Sequence, residues 1–487
     1  MSAIPETRLV EISERGNPTR TRRRARDLIS LYLNYPILFP IRKSLNRRAL
    51  ETMRNKLKVI VGTRAEIKGV QRSRLHELLS FSSLRNRFYR DRFRRAGLRG
   101  KLDFCPEGLA QLPPLTKVDL QECFDQMVSE GISRERLIEN SSGGSTGDPV
   151  NLLQDRNFLT ESLSTTFISD RMQEWDFGAR RALLWGSPKD CGRLLSAKAR
   201  LSAYLNNENC YDSFNMGVRE MRKFHQELSR FQPDNIVAYA SSIYLFARFL
   251  EQAGLKPNYP LRSIISSAET LTDAMRADVE KCFGVPVYDR YGTREVGTIA
   301  SECGHHAGLH LHTLDHYVEV VDFETGQRIW DKPGRILITL LTNYAMPLIR
   351  YDIGDVGILT EDFCPCGRSA PLVKKLLGRS SDFVVSPSGR LIHGEYFTHA
   401  FYGHRGIRQF QFVQETATLY LLRIVKNADF QPASLEAVKR ETELVLGQNA
   451  EIRFEFVENI PPAPSGKWRF TISKVALPVD QNRETAS

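Results

Sequence analysis

No stretch of this chain approaches the ~20 consecutive apolar residues that cross a bilayer, so a membrane-spanning protein is not expected. Cysteine is sparse, 8 in 487 residues. Five of these (Cys105, Cys123, Cys191, Cys210 and Cys282) stand apart, which excludes a dense disulfide framework and fits a reducing compartment. The first 27 residues lack the continuous apolar core of ~7–15 residues that a secretory leader needs, so a cytoplasmic protein is expected. Internal repeats and low-complexity tracts are also missing. The basic segment described next lacks the interleaved aromatics that stack on bases, and this argues against nucleic-acid binding.

What is present is an ordinary globular composition, 41% apolar and 26% charged. The chain is longer than one hydrophobic core usually organises, which predicts a large domain plus a smaller one. The net charge of +11 is not spread evenly: residues 1–60 hold 14 Lys/Arg against 5 Asp/Glu, so +9 of it sits there. The run Arg15 to Arg26 is followed by the short apolar stretch Leu28 to Phe39, interrupted by Pro36, and then by Arg42, Lys43, Arg47 and Arg48. Such a basic, partly amphipathic arm can rest on an anionic membrane surface, dock on an acidic partner, or pack its apolar part on the main domain.

Ala65 to Leu98 carries apolar residues at helical spacing, and Leu112-Pro113-Pro114-Leu115-Thr116-Lys117 then reads as a loop. The middle alternates strand-like runs (Arg181 to Gly186, Ile236 to Tyr239, Leu261 to Ser266, Val285 to Tyr288) with helical patterns (Ser242 to Ala253, Thr272 to Phe283), the rhythm of a layered α/β domain. After Asp315 the pattern becomes all strand, in Tyr317 to Val321, Gly334 to Thr339 and Val356 to Leu359. Ile407 to Phe456 reads strand, strand, helix, strand. The expected architecture is α/β: a large layered domain with a β-rich subdomain, followed by a small mobile α+β domain. The boundaries are placed at 1–60 for the arm, 61–378 for the large domain and 379–487 for the small one.

Five segments carry chemistry. Ser142-Gly143-Gly144-Ser145-Thr146-Gly147 sets three glycines among three hydroxyl residues, a combination that lets backbone amides approach an anion while hydroxyls donate, as in a phosphate cradle. It is not a Walker loop, because no Gly-Lys-Ser/Thr follows. Tyr291-Gly292-Thr293-Arg294-Glu295 follows a predicted strand, where α/β sheets present ligand-binding groups, and Glu295 is a candidate Mg²⁺ ligand on a triphosphate. Asp355, in Arg350-Tyr351-Asp352-Ile353-Gly354-Asp355, is an acceptor-only group suited to two ribose hydroxyls. Gly378-Arg379-Ser380-Ser381-Asp382 and Pro464-Ser465-Gly466-Lys467 complete the series.

In this order the segments resemble the acyl-adenylate-forming superfamily, most closely its phenylacetate–coenzyme A ligase branch with the capsule-biosynthesis members, from about Leu112 to Arg469. The resemblance implies ATP-dependent activation of a carboxylic acid to an acyl-adenylate, then transfer to a thiol, usually coenzyme A. It also implies that Gly143 to Gly147 bind pyrophosphate, that Ser267-Ala268-Glu269, Tyr291, Gly292 and Thr293 lie by the nucleotide, and that Glu295 holds Mg²⁺. Asp355 and Arg379 would hold the ribose, Asp382 would be the hinge of the small domain, and Lys467 would contact the acyl phosphate. The acid pocket would draw on Trp185 to Pro188, Ala238 to Ser242 and Ser266 to Ala268. Three features depart from the family pattern: Asp148-Pro149-Val150 supplies no lysine to the phosphate loop, Arg294 stands where many relatives carry Ser or Thr, and Phe383 to Arg390 lacks the usual glycine-containing coenzyme A segment. An amine or hydroxyl acceptor, or a non-enzymatic membrane-associated scaffold with a vestigial nucleotide site, are the alternatives.

A second constellation joins Cys303-Gly304-His305-His306-Ala307-Gly308-Leu309-His310 to Cys364-Pro365-Cys366. Three thiolates with one imidazole are the ligand set of a closed structural Zn²⁺ site. Spacing favours Cys303 with His306, whereas His310 resembles a position seen in relatives with a comparable site, and both histidines remain candidates beside Cys364 and Cys366.

Overall fold

The computed structural model describes residues 38–98, 100, 103–141, 150–185, 203–213, 216–379, 383–388, 391–393, 397, 406–427, 430–447, 449–461 and 469–475. The description begins with helices. α1 (Leu38–Leu45), α2 (Arg47–Ile60), α3 (Arg64–Arg85) and α4 (Arg87–Arg95) follow one another with short breaks. The break before α3 is fixed by a capping box in which Thr63 and Glu66 satisfy each other's end groups. From Leu38 onward, therefore, the segment expected as an arm is helical. α2 buries Ala49, Leu50 and Met53 against Phe167 and Ile168.

A hairpin follows, β1 (Ile138–Ser141) with β2 (Asn151–Gln154), and then the long helix α5 (Arg156–Met172). The α/β rhythm read from the sequence appears as β3 (Arg181–Leu184), β5 (Asn235–Tyr239), α7 (Ala240–Gln252), β6 (Ser263–Ser267), α8 (Asp273–Phe283) and β7 (Val287–Thr293), and between β3 and β5 the structure adds β4 (Glu208–Tyr211) and α6 (Val218–Phe231). The start and stop of α8 are written locally: the Thr272 side chain accepts from the Met275 amide, and Gly284 takes the left-handed conformation that ends a helix cheaply. Two strands not read from the sequence follow, β8 (Gly297–Glu302) and β9 (Leu309–Leu311), and the all-strand stretch after Asp315 then supplies β10 (His316–Val321), β11 (Gly334–Leu340), β12 (Tyr351–Thr360) and β13 (Leu372–Arg379).

Among the described residues these strands make one 11-stranded sheet, ordered β10-β11-β12-β13-β9-β8-β7-β6-β5-β3-β4. It is parallel from β4 to β7 and antiparallel from β7 to β10. The β-rich stretch thus continues the α/β sheet edge to edge. Burial follows the change of type: β5 is buried along its whole length, as a strand covered on both faces must be.

Beyond β13 come β14 (Phe383–Val385), β15 (Leu391–His393), β16 (Ile407–Gln414), β17 (Leu419–Lys426), α9 (Ala433–Leu446), β18 (Glu451–Phe456) and β19 (Thr471–Ser473). Four of these strands form a separate sheet, β18-β17-β16-β19. Its core gathers Phe412, Tyr420, Leu422 and Ile424 with Val438 and Leu446 of α9. This is the strand, strand, helix, strand order expected for Ile407 to Phe456. No helix among the described residues is long and apolar enough to cross a membrane.

Candidate active site

Asp355 and Arg379 face each other across β12 and β13, being direct partners in the antiparallel register. Arg379 Nε lies 3.0 Å from Asp355 Oδ1. The other carboxylate oxygen, Oδ2, accepts from the Tyr291 hydroxyl at 2.8 Å. Burial, then the Asp355 charge beside it, push the Tyr291 phenol well above its usual range, so it stays a donor. An ionised carboxylate offers about four acceptor positions. Tyr291 and Arg379 take two, a holding arrangement compatible with a pair of ligand hydroxyls. Tyr291, expected beside the adenine, is therefore first of all a partner of Asp355.

Glu295 lies in the turn between β7 and β8 and is buried. That turn is clamped from behind. The Arg294 carbonyl oxygen accepts from Asn140 Nδ2 at 3.2 Å and from Gln154 Nε2 at 3.1 Å. Asn140 belongs to β1 and Gln154 to β2, so both strands of the hairpin are tied to the turn that presents Glu295. Gly292 is required here, because a Cβ on it would come 2.7 Å from the Gly297 carbonyl oxygen. The hairpin's own connection holds the phosphate-loop candidates Ser142, Gly143, Gly144, Ser145, Thr146 and Gly147; these lie outside the described residues, as do Asp382 and Lys467.

Ser267-Ala268-Glu269 runs off the end of β6. Ser267 Oγ donates to the Arg290 carbonyl at 3.1 Å, and Glu269 Oε2 accepts from the Ser241 amide at 2.9 Å, in the first turn of α7. Between them Ala268 has φ +67°, a left-handed conformation that costs a non-glycine residue about 1 kcal/mol or more. Of the acid-pocket candidates, Trp185 and Tyr239 pack their rings 4.3 Å apart at the ends of β3 and β5. Gly186, Ser187 and Pro188 lie outside the described residues.

Sequence reading missed Lys117. Leu115 bridges to Tyr351, with the Leu115 amide donating to the Arg350 carbonyl and the Asp352 amide to the Leu115 carbonyl, both at 2.8 Å. Thr116 then caps a short helix, Lys117–Glu122, through a reciprocal box with Asp119, and Lys117 is its first residue. Burial, followed by the charge of Arg379, pushes the Lys117 ammonium below its ordinary value, while Glu295, Asp355 and Asp352 pull it back up. Lys117 thus feels the charges of these carboxylates, two residues past the point where Leu115 bridges to the strand that carries Asp352 and Asp355. The signal was in the sequence: Thr-Lys-Val-Asp is a capping-box start, hidden inside a proline-rich run.

The metal candidates converge elsewhere. Cys303 follows β8, His310 sits on β9 opposite Leu372 of β13, and Cys364 and Cys366 lie in the loop before β13. All four are buried, and their ligand atoms lie within 4.8 Å of one another. Cys303 Sγ is 3.6 Å from Cys364 Sγ, and Cys366 Sγ is 3.4 Å from His310 Nε2. Thiolates on a tetrahedral Zn²⁺ at ~2.3 Å would stand ~3.8 Å apart, so the donor set fits. His306, the candidate favoured by spacing, is not among the four. It stacks on Tyr288 at 5.1 Å and places Nδ1 3.2 Å from Glu302 Oε2. Strand pairing between β9 and β13 decides between the two histidines, and spacing cannot see it.

The fold these elements build is that of an acyl-CoA ligase of the adenylate-forming superfamily. A solved 2-hydroxyisobutyryl-CoA ligase in complex with 2-HIB-AMP superimposes with a TM-score of 0.68, covering 87% of this chain and 93% of that one at 20% sequence identity. By sequence, "Protein CapK" of Staphylococcus aureus is 24% identical over 415 residues, 83% of this chain and 89% of CapK. A phenylacetate-coenzyme A ligase of Thermus thermophilus is 27% identical over 334 residues, 66% of this chain and 72% of that enzyme. The family profile described as the CapK C-terminal domain matches residues 384–474. The chain is therefore a homologue of CapK and of the phenylacetate–coenzyme A ligases, as its ordered motifs implied.

Proposed function

We propose that this chain is an adenylate-forming ligase that uses ATP to activate a carboxylic acid as its acyl-adenylate, releases pyrophosphate, and passes the acyl group to the thiol of coenzyme A. The observation that carries the reading is the Asp355 carboxylate held by Tyr291 and Arg379, with the buried Glu295 presented by the turn that follows the strand of Tyr291. A carboxylate attacking an α-phosphate brings two anions together, so catalysis rests on charges fixed before the reaction begins. In this reading Asp355 and Arg379 hold the ribose, and Ser267-Ala268-Glu269 with Gly292 and Thr293 line the nucleotide. Glu295 would hold Mg²⁺, which supplies charge neutralisation on the triphosphate when bound. Lys117 provides a cation that the loop Ser142 to Gly147 lacks, and Lys467 provides another for the acyl phosphate. Asp382 is the hinge about which the small domain, 379–487, exchanges adenylation for thiol transfer.

Two further parts belong to the same proposal. Cys303, His310, Cys364 and Cys366 hold a structural Zn²⁺ that ties the β8–β9 turn to the loop before β13. The basic N-terminal residues keep a cytoplasmic enzyme near an anionic surface or an acidic partner, a reading supported by the exposed Lys43, Arg47, Arg48, Arg54 and Lys58 of α1 and α2. A vestigial scaffold fits less well, because a decayed site has no reason to keep buried Asp355 and Glu295 opposite Arg379 and Lys117.

The test is acid-dependent pyrophosphate release over a panel of aryl, short-chain and amino acids, followed by coenzyme A-dependent AMP formation with the best acid. Release with at least one acid, and AMP formed on adding coenzyme A, are expected. AMP formed only with an amine or hydroxyl acceptor would defeat the thiol half of the proposal, and bound ATP without release for any acid would defeat the first half.

A further inference from the structure

Arg350 is buried, and its backbone has φ +52°, a strained conformation for a residue with a side chain. Everything around it fixes it there. Its amide donates to Thr339 Oγ1 at 3.0 Å, and its Nε lies 3.1 Å from Glu319 Oε2, itself buried. One terminal nitrogen of the guanidinium donates to the carbonyls of Ala110, at 3.0 Å, and Leu112.

A buried ion pair is often no better for stability than apolar side chains of the same volume, so stability alone is a weak reason for this one. What the fork does is hold the chain at 110–112. From there the path to Lys117 has little slack. Pro113 and Pro114 are stiff, and Arg92 Nη2 donates to their carbonyls at 2.6 and 3.2 Å. Leu115 bonds back to the Arg350 carbonyl itself. Thr116 closes its capping box with Asp119, and Lys117 is the next residue.

We propose that Arg350 is a positioning residue for the nucleotide site: with Glu319 behind it, it locks the Ala110–Leu115 segment to β12, the strand that carries Asp355, so that Lys117, two residues beyond the Leu115–Tyr351 bridge, is held where its ammonium meets the β- and γ-phosphates of ATP. This rests on the ligase reading above. Arg350 itself touches no ligand, and its effect reaches the phosphates through Lys117.

The experiment compares binding of AMP, which has only the α-phosphate, with binding of α,β-methylene-ATP plus Mg²⁺. The proteins are the native chain, Arg350→Lys, Lys117→Ala and the double variant, and thermal midpoints are recorded alongside. Lysine keeps the charge but has a single nitrogen, which cannot serve the Ala110 and Leu112 carbonyls and Glu319 together as the guanidinium does through Nη1 and Nε. Lys117→Ala and Arg350→Lys are each expected to weaken the triphosphate analogue by about tenfold, the scale of one lost charge-assisted contact, while AMP affinity stays within about twofold. The double variant is expected to be no weaker than Lys117→Ala alone, because Arg350 then has nothing left to position.

Equal weakening of AMP and analogue by Arg350→Lys, or effects that multiply in the double variant, would reduce Arg350 to a general structural role and overturn the proposal. Should Arg350→Lys fail to fold, Glu319→Gln, which leaves the fork in place but removes its anchor, must show the same selective loss or the proposal falls. Unchanged analogue binding in every variant defeats the positioning role but leaves the ligase reading standing; a native chain that binds neither nucleotide defeats the ligase reading itself.

Discussion

Replacing Tyr291 by Phe removes one hydroxyl and almost no volume, yet it leaves Asp355 Oδ2 without its donor from the protein. Hydrogen bonds to charged groups contribute about 1.5–3 kcal/mol. We predict a rise of roughly 10- to 100-fold in KM for ATP in acid-dependent pyrophosphate release, with AMP binding weakened alongside. Unaltered values for both would show that Arg379 alone suffices to orient the carboxylate. At this scale the sequence was legible where a residue's type already states its chemistry: Glu295, Asp355 and Arg379 are charged groups in short glycine-containing segments, and the fold pairs Asp355 with Arg379 and buries Glu295. It was not legible where two residues distant along the chain meet. Nothing between Tyr291 and Asp355 announces that one donates to the other. Lys117 was overlooked because Pro113 and Pro114 made its segment look like a plain loop, although Thr116 and Asp119 were marking the start of a helix.

Among elements, most strands and helices of the parallel half of the sheet were readable because their periods are local, and α8 carries its own start and stop from Thr272 to Gly284. Edge relations were not readable, and they decide the metal site. His310 faces the thiols because β9 pairs with β13; His306, three residues from Cys303, is turned toward Glu302 and Arg276 instead. We predict that His310→Ala and Cys364→Ser lower zinc content, measured by elemental analysis of purified protein, from about one per chain to well below half, and lower the thermal midpoint by several degrees. His306→Ala leaves zinc content unaltered. Native protein without zinc, and with a midpoint indifferent to Cys364→Ser, would refute the assignment. The β1–β2 hairpin makes the same point about relations between elements: its sequence says only that it is short and polar, whereas its place behind Glu295 depends on the Arg294 carbonyl.

For the whole molecule, α2 is an integral part of the body. Lys56 on its inner face is almost inaccessible and lies 2.8 Å from Glu161 Oε2, 2.6 Å from Asp315 Oδ1 and 2.8 Å from Thr165 Oγ1. Burial opposes the charge on Asp315, but Lys56, with His316 and Thr165, outweighs it and holds that carboxyl below the usual range. Lys56→Met would leave the buried Asp315 and the part-exposed Glu161 with only Arg74, 3.7 and 3.8 Å away, for a cation. The expected loss is about 3–5 kcal/mol of folding stability by denaturant titration, and a loss under about 1 kcal/mol would mean that the helix is held by its apolar face alone. Composition showed the basic character of residues 1–60 but could not separate the cations that face outward from the two that face in among the described residues, Arg42 and Lys56. That separation divides the response to ionic strength. Mobile ions weaken exposed charges within about a Debye length, ~8 Å at physiological salt, and do not reach Lys56. Concentrated salt will therefore release whatever Lys43, Arg47, Arg48, Arg54 and Lys58 attract, while the helix that displays them stays where it is.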